Sequence, residues 1–219
     1  MPVILSLDTS GPLCSVALAR DGERFVDSRR VDRQHNLHVL GAIDGLCLRA
    51  GILPRQLDGI VFIKGPGSFT GVRLAVAVAQ ALAYGSGARV LGVTSSHALA
   101  LHAAKQGIPR CVTAICSRGT LWYLSGWVTA KDEASPVHVD QLVAQPPEWL
   151  SMYDVLVGDP PSWVPEALAL VPADAQPAAT LLDYAITHWG QAAWTDAEGA
   201  LPVYIDGDHP WQPAVAKTE

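Results

Sequence analysis

Asp8-Thr9-Ser10 follows an apolar run at residues 3–7. An acid at a strand's end, followed by two hydroxyls in a turn, can hold a Mg²⁺–phosphate group. That chemistry needs a second loop facing the first, of the form Asp-x-Gly followed by Gly or Thr, in the C-terminal half. The candidates there do not fit. Gly158-Asp159-Pro160-Pro161 has the wrong order, and Asp206-Gly207-Asp208 stands beside the Pro-rich tail. Asp8, Thr9 and Ser10 therefore read as a vestigial phosphate loop.

The second chemical candidate is Lys64-Gly65-Pro66-Gly67-Ser68-Phe69-Thr70-Gly71-Val72-Arg73. Gly65, Gly67, Ser68, Thr70, Gly71 and Arg73 are its defining residues. Backbone N–H groups at a helix N-terminus can cradle an anion. No Gly-Lys-Ser/Thr follows, so this is not a Walker loop. The third glycine comes four positions after the second, not three, so the dinucleotide pattern also fails. A turn that brings two backbones together fits the spacing better, because glycine permits close approach at an entropic cost.

Other reactive residues are sparse. His35 and His38 share a helical face, but a metal site needs a third ligand and usually a fourth, and Asp44 lies six residues beyond His38. Capping or surface contact is the simpler role. His97 and His102 are five apart and do not share a face. No serine is framed as Gly-x-Ser-x-Gly. Cys14, Cys47, Cys111 and Cys116 form no zinc spacing and read as buried reduced thiols. Trp122, Tyr123 and Trp127 could stack on bases, but alternating aromatics on a strand read first as core.

The elements that position these residues follow from periodicity. Residues 3–8, 14–20 and 24–30 read as strands, the last two joined at Asp21-Gly22. Residues 37–50 read as a helix, with Val39, Leu40, Ile43, Leu46, Cys47 and Ala50 on one side and Gly51 as its stop. A strand at 60–63, a helix at 74–84, a strand at 88–93 and a helix capped by Thr94-Ser95-Ser96 complete a β-β-β-α-β-α-β-α order. That order implies a mixed sheet with helices on its faces. In the second half, strands are expected at 111–116, 121–128, 154–158 and 201–205, and a helix at 180–194.

Composition sets the outer limits. The chain has 219 residues, 49% hydrophobic and 16% charged, with a formal net charge of -6. A protein that grips nucleic acid alone presents a basic surface. This chain has no Lys/Arg cluster beyond Arg29, Arg30 and Arg33, so any work on RNA calls for a partner. No apolar run reaches the roughly 20 residues of a membrane span. The N-terminus lacks the basic segment of a secretory signal. A cytoplasmic protein is expected.

The helix after the glycine loop matters most. Gly71, Ala75, Ala79 and Ala83 recur every four residues and form one smooth ridge, flanked by Val72 and Val76. Small ridges let helices pack closely, and a helix apolar on nearly every side is buried on nearly every side. The ridge fits either a central helix inside one domain or a face that docks a partner.

Residues 5–10, Cys14-Ser15-Val16-Ala17-Leu18, His35 and residues 65–73 together resemble the TsaB (YeaZ) family. Ala114-Ile115 with Arg118, and Pro202-Val203-Tyr204, extend the likeness more thinly into the second half. The resemblance implies an α/β fold of the two-lobed ASKHA (actin/hexokinase/Hsp70-like) type, with lobes at 1–109 and 110–219 and a tail packing back on the first.

It implies a cytoplasmic, non-catalytic subunit in synthesis of threonylcarbamoyladenosine beside the tRNA anticodon, with no metal or cofactor of its own. TsaD, which carries metal and performs the transfer, is the implied partner. TsaE, an ATPase, joins the pair, and TsaC supplies the activated donor. Contact with tRNA is indirect, and the chain alone is expected to form homodimers. The rival is an independent ASKHA-type phosphotransferase or hydrolase. His35, Leu40, Gly71, Ala75, Val76, Ala79 and Ala83 are the expected partner interface. The chain departs from the family at Cys116-Ser117, where an acid is common, and at Asp206, where a basic residue is common.

Overall fold

The computed structural model describes residues 1–31 and 34–205. Arg33 and Asp206-Gly207-Asp208 lie outside the described residues. Three antiparallel strands open the chain: β1 (Ile4–Asp8), β2 (Leu13–Arg20) and β3 (Glu23–Arg30). Helix α1 (His35–Ala50) leads to β4 (Gly59–Ile63), α2 (Phe69–Ser86), β5 (Arg89–Val93) and α3 (Ser95–Lys105). β4 and β5 run parallel to β1, giving a mixed sheet in the order β3-β2-β1-β4-β5. The local signals act as expected. Gly51 ends α1 in the left-handed conformation, and its N–H bonds Cys47 and Leu48 carbonyls. The Ser68 and Thr94 hydroxyls cap α2 and α3.

The second half builds another mixed sheet from β6 (Arg110–Arg118), β7 (Leu121–Ala130), β8 (Glu133–Val143), β9 (Val155–Gly158) and β10 (Ala169–Val171). Its order is β10-β9-β6-β7-β8. Helix α4 (Pro177–Thr187) begins three residues before and ends seven residues before the 180–194 span expected. Residues 201–205 form no strand. Instead Val203 N–H donates to the Lys64 carbonyl at 2.8 Å. This is an α/β architecture of two mixed sheets flanked by helices.

One face of the first sheet packs Leu5, Leu7, Ile60 and Phe62 against Ile43 and Leu46 of α1 and Ala75 and Ala79 of α2. The other face packs Ile4, Val61 and Ile63 against Ala178, Leu181 and Leu182 of α4. Helix α3 contributes Ala98 to that cluster, and Ala100 and Ala103 to one with Cys111, Trp127 and Val157 of the second sheet. It therefore packs against both sheets. Among the described residues, no helix is long and apolar enough to cross a membrane.

His97 of α3 sits at this junction. Its ring stacks on Trp127 at 5.2 Å and meets the edge of Tyr184 at 5.1 Å. Burial, aided by repulsion from His188 and Lys64, pushes its pKa down from 6.5 to about 4. The unfolded chain therefore binds this proton more readily, so its contribution is complete above pH 6.5 and is lost as pH falls towards 4. Urea melts at pH 7 and pH 4.5 are expected to differ by ~2 kcal/mol more in the wild-type protein than in His97→Phe. Equal losses in both proteins would remove His97 as the cause.

Candidate functional site

The turn after β1 and the loop before α2 are one interlocked unit. Ser68 N–H donates to the Ser10 carbonyl at 2.8 Å, and the Thr9 hydroxyl donates to the Gly71 carbonyl at 2.7 Å. An ideal Cβ on Gly71 would lie 1.9 Å from the Thr9 carbonyl oxygen, and one on Gly67 2.8 Å from that of Ser10. These glycines let two backbones touch, the structural role that the spacing favours. Gly65 takes φ +104° and packs on the Val203 carbonyl. Its own carbonyl accepts from Ser95 N–H at 3.0 Å. Arg73 lies over the Phe69 ring, 3.3 Å from its centroid, and donates to the Tyr204 hydroxyl at 2.9 Å. Ser68 and Thr70 are exposed.

Asp8, Thr9 and Ser10 are all buried. Ser10 donates both its N–H and its hydroxyl to Asp8 Oδ1, each at 2.7 Å. Burial raises the Asp8 pKa, and the Ser10 bonds oppose that rise. The strand end that resembled a Mg²⁺–phosphate loop thus spends its hydroxyls internally. His35 is buried at the start of α1, and burial lowers its pKa. Among the described residues no cluster of three or more His, Cys, Asp or Glu could hold a metal ion. Burial pushes the Cys14 thiol up to about 11 and the Cys111 thiol up to about 12. Cys116 is exposed instead of buried, beside an irregularity where β6 nears its end. Tyr123 and Trp127 are core, as expected, and Trp122 is half-buried.

The expected docking ridge needs correction. Ala75 and Ala79 are fully buried, and Gly71, Val76 and Ala83 nearly so, all covered by the chain itself. The small side chains let α2 lie close to β1 and β4, so this ridge meets its own sheet. Leu40, grouped above with the inward stripe of α1, is 57% exposed.

The free faces are the opposite ones. On α1, Leu37 and Leu48 are 69% and 82% exposed. On α2, Ala77, Ala81, Tyr84 and Gly85 face outward. A methyl added to Gly41, Gly45 or Gly85 would meet nothing within 4 Å among the described residues. Glycine inside a helix costs roughly 0.5–1 kcal/mol relative to alanine. No contact among the described residues calls for that cost at Gly41, Gly45 or Gly85. Helices α1 and α2 pack together on the same side of the first sheet, so the two faces adjoin. The signal was present in the sequence as the spacings 37/41/45 and 77/81/85, the same four-residue period as the inner ridge.

An α/β protein of two mixed sheets, with the turn after β1 interlocked with the glycine loop and an exposed apolar face on α1 and α2, is what the fold and site define. The match to a family model described as "TsaD: tRNA N6-adenosine threonylcarbamoyltransferase" covers residues 27–144. The TsaB of Haemophilus influenzae, a tRNA threonylcarbamoyladenosine biosynthesis protein, is 39% identical over 97 residues, 44% of this chain and 41% of that protein. The TsaB of Escherichia coli is 28% identical over 223 residues, 95% of this chain and 96% of that one. Two solved structures superpose with TM-score 0.79 over 94% of this chain and 100% of theirs. They are YeaZ from Pseudomonas aeruginosa at 29% identity, and a protein with similarity to peptidase YeaZ from the same organism at 31%. The chain belongs to the TsaB (YeaZ) family.

Proposed function

We propose that this chain is a non-catalytic partner of TsaD, required for threonylcarbamoyl transfer to the adenosine next to the tRNA anticodon. The observation that carries the reading is the outer face of α1 and α2. It combines exposed Leu37, Leu40 and Leu48 with helical Gly41, Gly45 and Gly85, whose missing side chains serve no contact inside the chain. Close helix-to-helix docking uses small residues to bring backbones together and large apolar ones to bury area. In this reading residues 1–109 form the docking lobe, and residues 110–219 form the smaller lobe, whose later stretch braces the first.

TsaE joins the pair as a third component, and tRNA is held by the partners. The acidic balance of -6 supports that division of labour. In isolation the same apolar face pairs two copies of the chain in the cytoplasm. The interlocked Asp8–Ser10 turn and glycine loop support a role that makes and breaks no bonds.

The test is a modification assay with TsaD, TsaE, TsaC, tRNA, threonine, bicarbonate and ATP. Leaving out this chain is expected to reduce threonylcarbamoyladenosine formation at least tenfold. Full activity without it would reject the reading. Turnover of ATP by this chain alone would instead favour the phosphotransferase or hydrolase.

A further inference from the structure

A cleft of about 430 Å³ lies between the turn after β1, the N-terminal ends of α3 and α4, and the ends of β6 and β9. That volume is in the range of small-molecule sites. Much of its wall is apolar, including Leu13, Leu99, Ile115 and Ala175. Three carboxylates line it, Asp8, Asp159 and Asp174, against one guanidinium, that of Arg30.

Asp8 is 92% buried, from its 8% exposure, and lines this cleft. Its Oδ1 takes both bonds from Ser10, while Oδ2 receives none among the described residues. The Asp174 oxygens are already engaged, Oδ1 by Gln176 N–H at 2.8 Å and Oδ2 by the Thr180 hydroxyl at 2.6 Å. Asp8 Oδ2 is reachable from the cleft and is left free to accept from a molecule that enters it.

Two helix N-termini border the cleft, which would ordinarily favour an anion. Here several of those donors are taken. Ser95 N–H bonds the Gly65 carbonyl and His97 N–H bonds the Thr94 hydroxyl. Pro177 has no N–H, and Ala178 N–H bonds the Ser15 hydroxyl at 3.2 Å. A phosphate would meet three carboxylates and few free donors.

We propose that this cleft binds a small organic cation, with a primary ammonium group donating to Asp8 Oδ2 and a short aliphatic body against Leu99 and Ile115. Asp159 and Asp174 supply the surrounding negative potential. Such a site is separate from the outer face of α1 and α2. Among the described residues, the Ser10–Ser68, Thr9–Gly71 and Ser95–Gly65 bonds join it to the glycine loop and the start of α2.

The probe is 1,4-diaminobutane, titrated calorimetrically into the isolated full-length chain, with butanedioate and Mg²⁺–ATP as anionic comparators. Saturable binding of the diamine is expected, with no binding of either comparator. Asp8→Asn keeps an Oδ1 acceptor for Ser10 and is expected to weaken the diamine at least tenfold. Ala175→Trp, at an exposed position on the wall, fills the cleft without changing charge and is expected to abolish binding. Circular dichroism checks that each variant is folded, and if Asp8→Asn is not, Ala175→Trp decides. No diamine binding at millimolar concentration, preference for an anion, or unchanged affinity in a folded variant would overturn the proposal. No partner is present in the experiment, so its failure would leave TsaD docking untouched.

Discussion

A chain carrying Leu40→Asp together with Leu48→Asp is expected to fold normally and to lose the association with TsaD proposed above. Both side chains stand in solvent, at 57% and 82% exposure, so the free protein gives up little by the exchange. In a complex that covers them, fully burying each leucine would contribute about 1.5–3 kcal/mol. Their present partial burial reduces that gain, and the carboxylates add the cost of unpaired charge in an apolar contact. The sum is ~3 kcal/mol or more, at least a hundredfold in the dissociation constant. Calorimetry against purified TsaD would measure the loss, and size-exclusion chromatography of the chain alone would show whether a homodimer dissolves in parallel. Association unchanged to within threefold would move the docking surface elsewhere on the molecule.

The order of elements through α3 was legible because many carry their own signal: the Asp21-Gly22 turn between β2 and β3, a glycine after α1, hydroxyls before α3. The face of α2 was not. Its sequence holds two four-residue rows of small side chains, 71/75/79/83 and 77/81/85, on a helix with few charges. Periodicity says that each row can pack closely, but not which row has the sheet beneath it. The Thr9–Gly71 contact decides that, and it joins residues 62 apart in sequence. The grouping of Leu40 with Val39, Ile43 and Leu46 failed for a related reason, although its 57% exposure is compatible with its place in the expected interface. The apolar positions of α1 spread beyond one stripe, so an outward leucine looked continuous with the inward ones. Strand β8 escaped notice because Pro136 sits in its midst and its outward residues are exposed. It lies at the sheet's edge, where a proline need not donate to a ladder. Asp8 and Ser10 were found by type, whereas the cleft they face depends on α4 returning from residues 177–187.

Gly71→Ala is expected to destabilise the protein severely. Its Cβ would fall 1.9 Å from the Thr9 carbonyl oxygen, a backbone atom in a fully buried residue, so no side chain can swing away. Relief requires the start of α2 to withdraw from the turn after β1. That withdrawal strains the Thr9–Gly71 bond at 2.7 Å and the Ser68–Ser10 bond at 2.8 Å. Overpacking costs about 1–3 kcal/mol, and a buried polar group left unpaired costs ~1–3 more. A loss of roughly 3–5 kcal/mol is a large part of the 5–15 that holds a typical domain together. The measurement is a urea melt beside that of Gly41→Ala, where the added methyl meets open space and the isolated chain is expected to gain roughly 0.5–1 kcal/mol. The two substitutions add the same atom to two helical glycines and are expected to move stability in opposite directions. A Gly71→Ala protein as stable as wild type would show that the β1 turn and α2 are not held as closely as described, and with them the reason the glycine loop exists.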